Sequence, residues 1–333
     1  MHEHHRIREQ YLLFARRECR GYSPHYEELA TAVAGDEWLL AFLAPHPVVQ
    51  PNLLFAAVQF LTGPEEMPRT AAELLTFLST RGEEVSQLMH VRRTQTNEIG
   101  RCAAILPALP AGPLALVEVG ASAGLCLLLD AFRYEYGEQQ LGDPASPVCL
   151  RCEVEGDAPI PERVPETGWR AGLDRALVDL HNEADARWLL ACVWPEHAER
   201  RERLAAAMEL GRSRGIEVER GDLTANLPAL LRRVPPDLQL VVFHSAVLAY
   251  VKAEQRAEFA ALLVEYSRQR PIVWISNEGR GVVPEITALA VAEESRDFLL
   301  GRTLFTEGRR EDELLAIAHP HGASLRWLAP NRG

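Results

Sequence analysis

The stretch VEVGASAGLCLLLD, residues 117–130, has the residue types and spacing in this sequence best suited to chemistry. As Gly-x-Ser-x-Gly between an apolar strand and a helix, it predicts a nucleophile elbow that presents Ser122 to an ester or an amide. As acidic-x-Gly-x-Ser-x-Gly, it predicts a cofactor loop in which Glu118, Gly120 and Gly124 match and Ser122 replaces a glycine. The two interpretations are incompatible, and the surrounding elements bear on the choice.

A nucleophile elbow normally lies in the middle of a hydrolase sheet, after several strands and after the loop that supplies the second oxyanion donor. Here only helical patterns precede the motif. The chain order of Ser122, an aspartate and then a histidine such as His319 does fit the hydrolases, so this alternative stays open. A nicotinamide fingerprint needs glycine at positions 120, 122 and 125, and the sequence has glycine at the first of these only.

The elements that must position the motif divide the chain into a helical part and an alternating part. Up to about residue 110 the apolar spacing is helical: one helix begins after Pro51 and ends at Gly63, and another opens with a capping box between Thr70 and Glu73. From residue 114 short β-branched runs alternate with long helical stretches. We predict an all-helical region over 1–110, acting as a lid or substrate wall, and an α/β domain over 111–333.

The alternation of strand and helix patterns over 111–333 predicts a Rossmann-like α/β fold with a mostly parallel sheet and a C-terminal antiparallel hairpin. A stretch rich in Pro, Gly and Asp at about 132–167 predicts an insertion with a small β-hairpin, and residues 185–211 predict one helix bent at Pro195. Five parallel strands are predicted at 114–120, 168–174, 216–222, 238–245 and 271–279, with antiparallel strands at 302–308 and 313–328.

Charge and composition limit the expected partners. The formal net charge is −12 and the pI is about 5.5, and no basic stripe is interleaved with aromatic residues, so we expect no nucleic-acid partner. The first residues lack the apolar core of a signal peptide, and no run is long enough to cross a bilayer, so we expect a cytoplasmic protein without membrane contact. One CxxC, Cys149 and Cys152, lacks a second pair, so no metal site is predicted.

Glu118, Gly120 and Gly124 resemble the first motif of class I methyltransferases, acidic-x-Gly-x-Gly-x-Gly, with Ser122 as the departure. The resemblance implies that the loop passes against S-adenosylmethionine, where a side chain would occupy the ligand's space and where glycine permits a positive φ. Glu118 would then face the amino group of the ligand. The Cβ of Ser122 reduces the clearance for the ligand.

Further residues at predicted strand ends resemble positions of the same superfamily. Asp174 would accept the two ribose hydroxyls, Asp222 would accept a hydrogen bond from the adenine amino group, and FHSAV at 243–247 would line the place where the methyl group leaves. Arg101 could pair with the cofactor carboxylate, and Asn97 lies beside it. The alternative reading of both aspartates, and of Asn97, is a cap at the start of a helix.

His244 and Glu278 are the candidate general bases, and Tyr250 lies a few residues beyond His244. A base is needed only when the methyl acceptor must lose a proton, because the sulfonium is already an excellent leaving group. Alternatively, His244 fills a hydrogen-bonded structural role. The methyl acceptor and the oligomeric state cannot be read from these residues.

EVGASAGLCLLLD, RWLLACVWPE with RERL after it, VVFHSAVLAYV and TQTNEIGRC together resemble the bacterial family catalogued as domain of unknown function two-three-three-two, from about residue 10 onward. That resemblance implies a methyltransferase-like fold but no substrate and no established catalytic residue. We predict an S-adenosylmethionine-dependent methyltransferase acting on a small molecule. The alternatives are a non-catalytic nucleoside-binding protein of the same fold and a serine hydrolase that uses Ser122.

Overall fold

The computed structural model describes residues 2–292 and 295–330, so the remaining residues of the two predicted regions lie outside the described part. The chain forms two compact units. One contains the residues up to Thr96 together with Asn182–Glu202, and the other contains Asn97–His181 together with the residues from Arg203 onward. The sequence-based division at about residue 110 remains a prediction.

Among the described residues of the first unit, all the regular structure is helical. The helices of the chain are, in order, α1 (His2–Phe14), α2 (Pro24–Gly35), α3 (Glu37–Leu43), α4 (Pro51–Thr62), α5 (Ala71–Val91), α6 (Arg101–Ile105), α7 (Glu183–Ala191), α8 (Ala198–Arg214), α9 (Leu227–Leu231), α10 (Ala253–Tyr266) and α11 (Pro284–Ala288). A π-helical turn at Ala15–Cys19 and 3₁₀ turns at Leu106–Ala108, Leu125–Ala131 and Leu248–Tyr250 complete the described helical structure.

The local signals for α4 and α5 are confirmed. Helix α4 has Pro51 at its start, and it ends at Gly63, whose φ of +82° favours glycine. At the start of α5 the Thr70 side chain accepts from the Glu73 amide, and the Glu73 carboxylate accepts from the Thr70 amide. These helices bury a common apolar core, in which the rings of Tyr11 and Phe55 meet edge to face at 6.2 Å.

The predicted bent helix over 185–211 is wrong. The structure has two helices, α7 and α8, with a non-helical connection between Ala191 and Ala198. Pro195 lies within that connection; it lacks an amide donor, and its ring clashes with the preceding turn of a helix. Of the described helices, none is long and apolar enough to cross a membrane.

The second unit is built on a large, mostly parallel sheet. Its strands are β1 (Leu114–Val119), β2 (Arg133–Tyr136), β3 (Gln139–Leu141), β4 (Cys149–Arg151), β5 (Glu153–Glu155), β6 (Thr167–Asp174), β7 (Val218–Arg220), β8 (Gln239–Ser245), β9 (Ile272–Glu278), β10 (Phe298–Thr306), β11 (Arg309–Ala318) and β12 (Ser324–Trp327). Within the described residues, nine of them form one sheet in the order β5-β12-β11-β10-β9-β8-β1-β6-β7, and β3-β2-β4 form a small second sheet.

Strands β7, β6, β1, β8 and β9 are parallel neighbours, as the alternating pattern predicts. Strands β10 and β11 then continue the sheet in antiparallel pairing, so the predicted 313–328 segment is divided between β11 and β12. The predicted hairpin of the insertion is confirmed as β2 and β3. From β1 the chain proceeds outward to β6 and β7 on one side and returns to β8 on the other, so the strand order reverses between β1 and β8.

Candidate functional site

The carboxyl ends of β1, β6, β8 and β9 lie at the same edge of the sheet because these strands are parallel. Open α/β sheets bind ligands outside this edge, where the strand order reverses. The register places Glu118 opposite Gly172 on one side and Phe243 on the other, and Ser245 opposite Asn277. The edge is therefore the place where most of the predicted site residues meet.

The loop after β1 has an unusual backbone. The φ values are +74° at Gly120, +55° at Ser122 and +73° at Gly124. Glycine takes such values freely, whereas a serine there is strained, and strained residues tend to cluster at functional sites. The loop leads into a 3₁₀ turn, not the predicted α-helix, because few residues separate Gly124 from the start of β2 at Arg133.

Close packing accounts for two of the glycines. A Cβ at Gly120 would lie 2.4 Å from Cγ2 of Val247, and a Cβ at Gly124 would lie 2.6 Å from Cγ2 of Ile216. The space beside both positions is thus taken by the protein's own side chains. This packing alone is sufficient to require glycine, whether or not a ligand binds.

Asp174, at the end of β6, fastens the loop. Its Oδ2 accepts from the Ser122 amide at 2.7 Å, and its Oδ1 accepts from the Ala176 amide at 2.7 Å. A carboxylate has about four lone-pair positions, so each oxygen keeps one after these bonds. Since Asp174 is only half-buried, those positions remain open to further donors.

Asp222 follows β7 and closes a turn. Its Oδ1 accepts from the amide of Thr224 at 2.8 Å and from the hydroxyl of Thr224 at 2.7 Å, and its Oδ2 is paired with the Arg175 guanidinium. Arg175, and then the Thr224 hydroxyl, hold the pKa of this carboxyl well below its usual range. Both oxygens are engaged, which leaves little capacity for an adenine amino group. Asp222 does not cap a helix as the alternative predicted, because Asn226 is the residue that precedes α9.

Glu118 is buried at the end of β1, where its Oε2 has no hydrogen-bond partner among the described residues. Burial raises the pKa of Glu118 well above its ordinary value, and neighbouring Cys126 raises it further. The charge of Arg101 acts in the opposite direction but does not overcome burial. The site therefore contains a carboxyl group that favours its neutral form.

The side chains of Arg101 and Asn97 form hydrogen bonds with backbone groups of the loops at this edge. The Arg101 guanidinium donates to the carbonyl of Pro320 at 2.8 Å and to that of Ser245 at 3.2 Å. The Asn97 side chain accepts from the Leu125 amide at 3.1 Å. Gly100, not Asn97, precedes the first residue of α6, so the idea that Asn97 caps this helix is wrong; its amide oxygen is used by the turn after Gly124.

His244 is fully buried in a network that sequence reasoning did not identify. Trp274 donates its indole N–H to His244 Nε2 at 2.9 Å, so the imidazole proton is on Nδ1 and is donated to Glu278 Oε1 at 2.7 Å. Both ring nitrogens are thus occupied inside the protein, as the structural alternative for His244 requires. The indole of Trp274 could be found only once β8 and β9 were known to be neighbours.

Glu278 is a buried carboxylate. Its Oε1 also accepts from the amides of Val247 and Leu248 at 2.8 and 3.0 Å. Burial alone would raise the pKa of Glu278, but the hydrogen bonds from His244 and the two amides outweigh it and leave the pKa below the ordinary value. Glu278 therefore fixes the loop after β8 in its ionised form.

Two further features of the edge were not predicted from the sequence. Ala246 has a φ of +55°, a strained value for alanine on the loop after β8. Asn277 is fully buried; it donates to the Ser245 hydroxyl at 3.0 Å, and its Oδ1 has no partner among the described residues. Predicted Tyr250, by contrast, is 78% exposed on a 3₁₀ turn. No sequence signal marks the strain at Ala246, because alanine has no preference for this conformation.

Ser122 is buried, and its Oγ has no hydrogen-bond partner in the described part of the chain. A serine nucleophile needs a base within hydrogen-bond reach. His319, the histidine favoured by chain order, instead accepts from the His321 amide through its Nδ1 at 3.2 Å.

Within residues 2–292 and 295–330, no group of three or more His, Cys, Asp or Glu side chains is arranged to hold a metal ion.

The fold and the edge together define a mixed α/β protein whose parallel strands carry acidic side chains at their carboxyl ends. The chain belongs to the family described as "Uncharacterized protein conserved in bacteria (DUF2332)", whose model matches residues 8–327. This match confirms the family resemblance seen in the sequence phrases. No curated protein and no solved structure matches the chain.

Proposed function

We propose that the chain binds S-adenosylmethionine at the carboxyl edge of β1 and β6 and transfers its methyl group to a small molecule. The observation that carries the proposal is Asp174. Asp174 is half-buried, and one of its oxygens accepts a hydrogen bond from the Ser122 amide of the loop. Each of its two oxygens retains a lone pair for a ligand. Two adjacent acceptors suit the two hydroxyls of a ribose.

The donor set fits such a ligand in part. The unpartnered Oε2 of Glu118 and Oγ of Ser122 are polar atoms that a bound ligand could satisfy. Glu118 lies just before the loop, and Ser122 lies within it. Asp222 does not fit the adenine contact, since Arg175 and its own turn use both oxygens. Val247 narrows the space beside Gly120, so the ligand has to lie on the side of Asp174 and Ser122.

The cofactor would supply an activated methyl group, and the residues of the chain would supply position and a water-poor surface. His244 has no free lone pair, because Trp274 donates to one nitrogen and the other carries the proton given to Glu278. His244 therefore offers no base. Glu278 is the remaining candidate base of this pair, because its buried Oε2 has no hydrogen-bond partner among the described residues.

Calorimetry tests the binding step. We expect heat with S-adenosylmethionine and with S-adenosylhomocysteine, and at least about a 100-fold weaker Kd in Asp174→Ala, since two hydrogen bonds to a charged group are lost at about 1.5–3 kcal/mol each. Asp174→Asn tests the same loss with a smaller effect on the loop. Asp143→Ala is the matched control, because exposed Asp143 also accepts a turn amide, at 2.9 Å. Absence of heat with either ligand overturns the proposal.

Glu118 provides a second readout. A cationic ligand near a buried neutral carboxyl lowers its pKa, so binding should release a proton. The release appears as a binding heat that depends on the ionisation enthalpy of the buffer, and it should vanish in Glu118→Gln. Equal heats in all buffers would contradict the assigned place of the ligand's cationic end.

A second candidate, ligand binding without transfer, is favoured by the engaged nitrogens of His244. Incubation with methyl-labelled S-adenosylmethionine and a cell extract from which proteins have been removed separates the two. Labelled small molecules that disappear in Asp174→Asn support transfer, whereas tight binding with no labelled product supports the binding protein.

A further inference from the structure

The helical unit has a cleft of its own, with a volume of about 680 Å³. It lies between the end of α3 with the residues that follow and the second half of α5. The cleft is lined by Phe42, His46, Gly82, Ser86 and His90, among others. Nothing in the proposed function uses this cleft.

A serine and a histidine on the cleft wall are hydrogen-bonded to each other. His46 Nε2 lies 2.7 Å from Ser86 Oγ, and His46 Nδ1 lies 3.2 Å from the Leu43 carbonyl oxygen. A carbonyl can only accept, so the imidazole proton is on Nδ1 and the Nε2 lone pair accepts from the serine hydroxyl. The arrangement is that of an activated nucleophile: hydroxyl, base, and a third group that orients the base.

The surroundings suit these roles. His46 is buried, while Ser86 is half-exposed on the cleft wall, so the base lies behind the hydroxyl. Burial lowers the pKa of His46, and the nearby charge of His90 lowers it further, which favours the neutral imidazole that can accept a proton. Glu83 and His90 are the other titratable groups that line the cleft.

The cleft wall is also partly apolar. The ring of Phe42 stacks on Trp38 with centroids 5.9 Å apart, and Gly82 lets Phe42 approach α5, since a Cβ there would lie 3.1 Å from Phe42 Cε2. Ala41, Pro45 and the exposed Val91 extend this apolar lining. An acyl chain is the chemical group that such a surface accommodates.

We propose that Ser86 is a nucleophile activated by His46 and that the cleft hydrolyses small esters with an apolar acyl group. Ser86 Oγ attacks the carbonyl carbon while its proton passes to His46 Nε2. The ester C–O bond then breaks, and the departing alcohol takes that proton. Water, deprotonated by His46, attacks the acyl-serine; the acid leaves and the proton returns to Ser86 Oγ.

We expect ester hydrolysis by Ser86 to be slow for a serine hydrolase, because the cleft has few oxyanion donors. Ser86 lies inside α5, where backbone amides bond within the helix, and His90 Nδ1 already donates to the Ser86 carbonyl at 2.8 Å. An oxyanion donor would therefore have to come from the side chain of Gln87. Loss of one preformed donor costs about 10²–10³ in rate in serine hydrolases. Activated esters such as p-nitrophenyl butyrate are therefore the substrates of choice for a test.

The test labels the full chain with a fluorophosphonate and maps the modified peptide by mass spectrometry, with p-nitrophenyl butyrate hydrolysis in parallel. We expect the label on Ser86, its loss in Ser86→Ala, and at least about a 100-fold slower reaction in His46→Gln, because a general base is removed. Ser79→Ala is the matched control, since Ser79 lies on the same helix and donates to the Leu75 carbonyl at 2.7 Å. Ser122→Ala separates this site from the loop after β1.

A second variant, Ser86→Cys, tests the pair without depending on the loss of activity that a misfolded variant would also show. In Ser86→Cys, His46 should promote thiolate formation, so iodoacetamide should alkylate the new thiol faster than the thiol of Ser79→Cys, and His46→Gln should remove the difference. The proposal is overturned when the label appears elsewhere, or when a folded His46→Gln chain, as judged by its circular dichroism, reacts at the wild-type rate. S-adenosylmethionine binding should be unchanged in both variants, so the two proposals fail independently.

Discussion

Gly120→Ala is the sharpest test of how the loop after β1 is packed. The new Cβ would lie 2.4 and 2.5 Å from the two Val247 methyl groups, against an ordinary contact of 3.4 Å or more. Relieving such overpacking costs about 1–3 kcal/mol. Alanine at the observed φ of +74° costs about 1–2 kcal/mol more. We expect the free energy of unfolding to fall by about 2–5 kcal/mol.

The chain offers a control for each contribution. Gly281 has a φ of +79° and nothing within 4 Å of its Cβ position, so Gly281→Ala measures the backbone cost alone. Val247→Ala removes the colliding methyl groups and should itself cost about 1 kcal/mol. In the double variant Gly120→Ala with Val247→Ala, only the Cβ of residue 247 remains close, at 3.0 Å, so we expect most of the collision to be relieved, with a coupling energy of about 1–3 kcal/mol.

Urea unfolding followed by circular dichroism gives the free energy of unfolding of the wild type and of the four variants. The packing explanation is refuted when Gly120→Ala and Gly281→Ala have the same unfolding free energy within about 0.5 kcal/mol, or when Val247→Ala brings no recovery. In either case Val247 does not occupy the space beside Gly120 in solution, and that space is available to a ligand.

Other substitutions test the remaining features. Burial raises the folded-state pKa of Glu118 above 4.5, so the wild type loses stability as the pH rises from 4.5 toward that folded-state pKa. Glu118→Gln has no such proton to lose and should gain stability relative to wild type as the pH rises in urea melts; a constant difference would contradict this. Trp274→Phe leaves Nε2 of buried His244 without its donor and should cost about 1–3 kcal/mol and shift the imidazole ¹⁵N resonances, whereas unchanged resonances would show that the indole does not bind there. Thr70→Ala removes the cap that pairs with Glu73 and should cost about 1 kcal/mol in thermal melts; a negligible change would mean that the start of α5 is held by packing alone.

Local signals predicted much of the fold because they act over a few residues. Pro51 and Gly63 bound α4, and Thr70 with Glu73 begins α5, since each pair satisfies or interrupts the backbone bonds of its own helix. The β-branched runs place both ends of each parallel strand within two residues of the observed ends. The break at Pro195 was assigned as a bend because sequence alone does not say whether a proline bends or ends a helix.

The candidate site was only partly predictable. Parallel strands end at one edge, so the strand assignment by itself placed Glu118, Asp174, His244 and Glu278 near one another. The partner of each side chain was not predictable, since it lies on another strand or loop. Asp174 holds the Ser122 amide, and His244 lies between Trp274 and Glu278.

The sequence by itself determined the turn of the GASAG loop, both ends of α4, the start of α5 and the family to which the chain belongs, because these depend on neighbouring residues and on unusual phrases. Only the tertiary structure decided that Val247 fills the space beside Gly120, that the lone pair of His244 is already used, and that Ser86 meets His46. These contacts join residues far apart in the chain. Burial and hydrogen bonding at such contacts, not residue type alone, set which groups stay free to react.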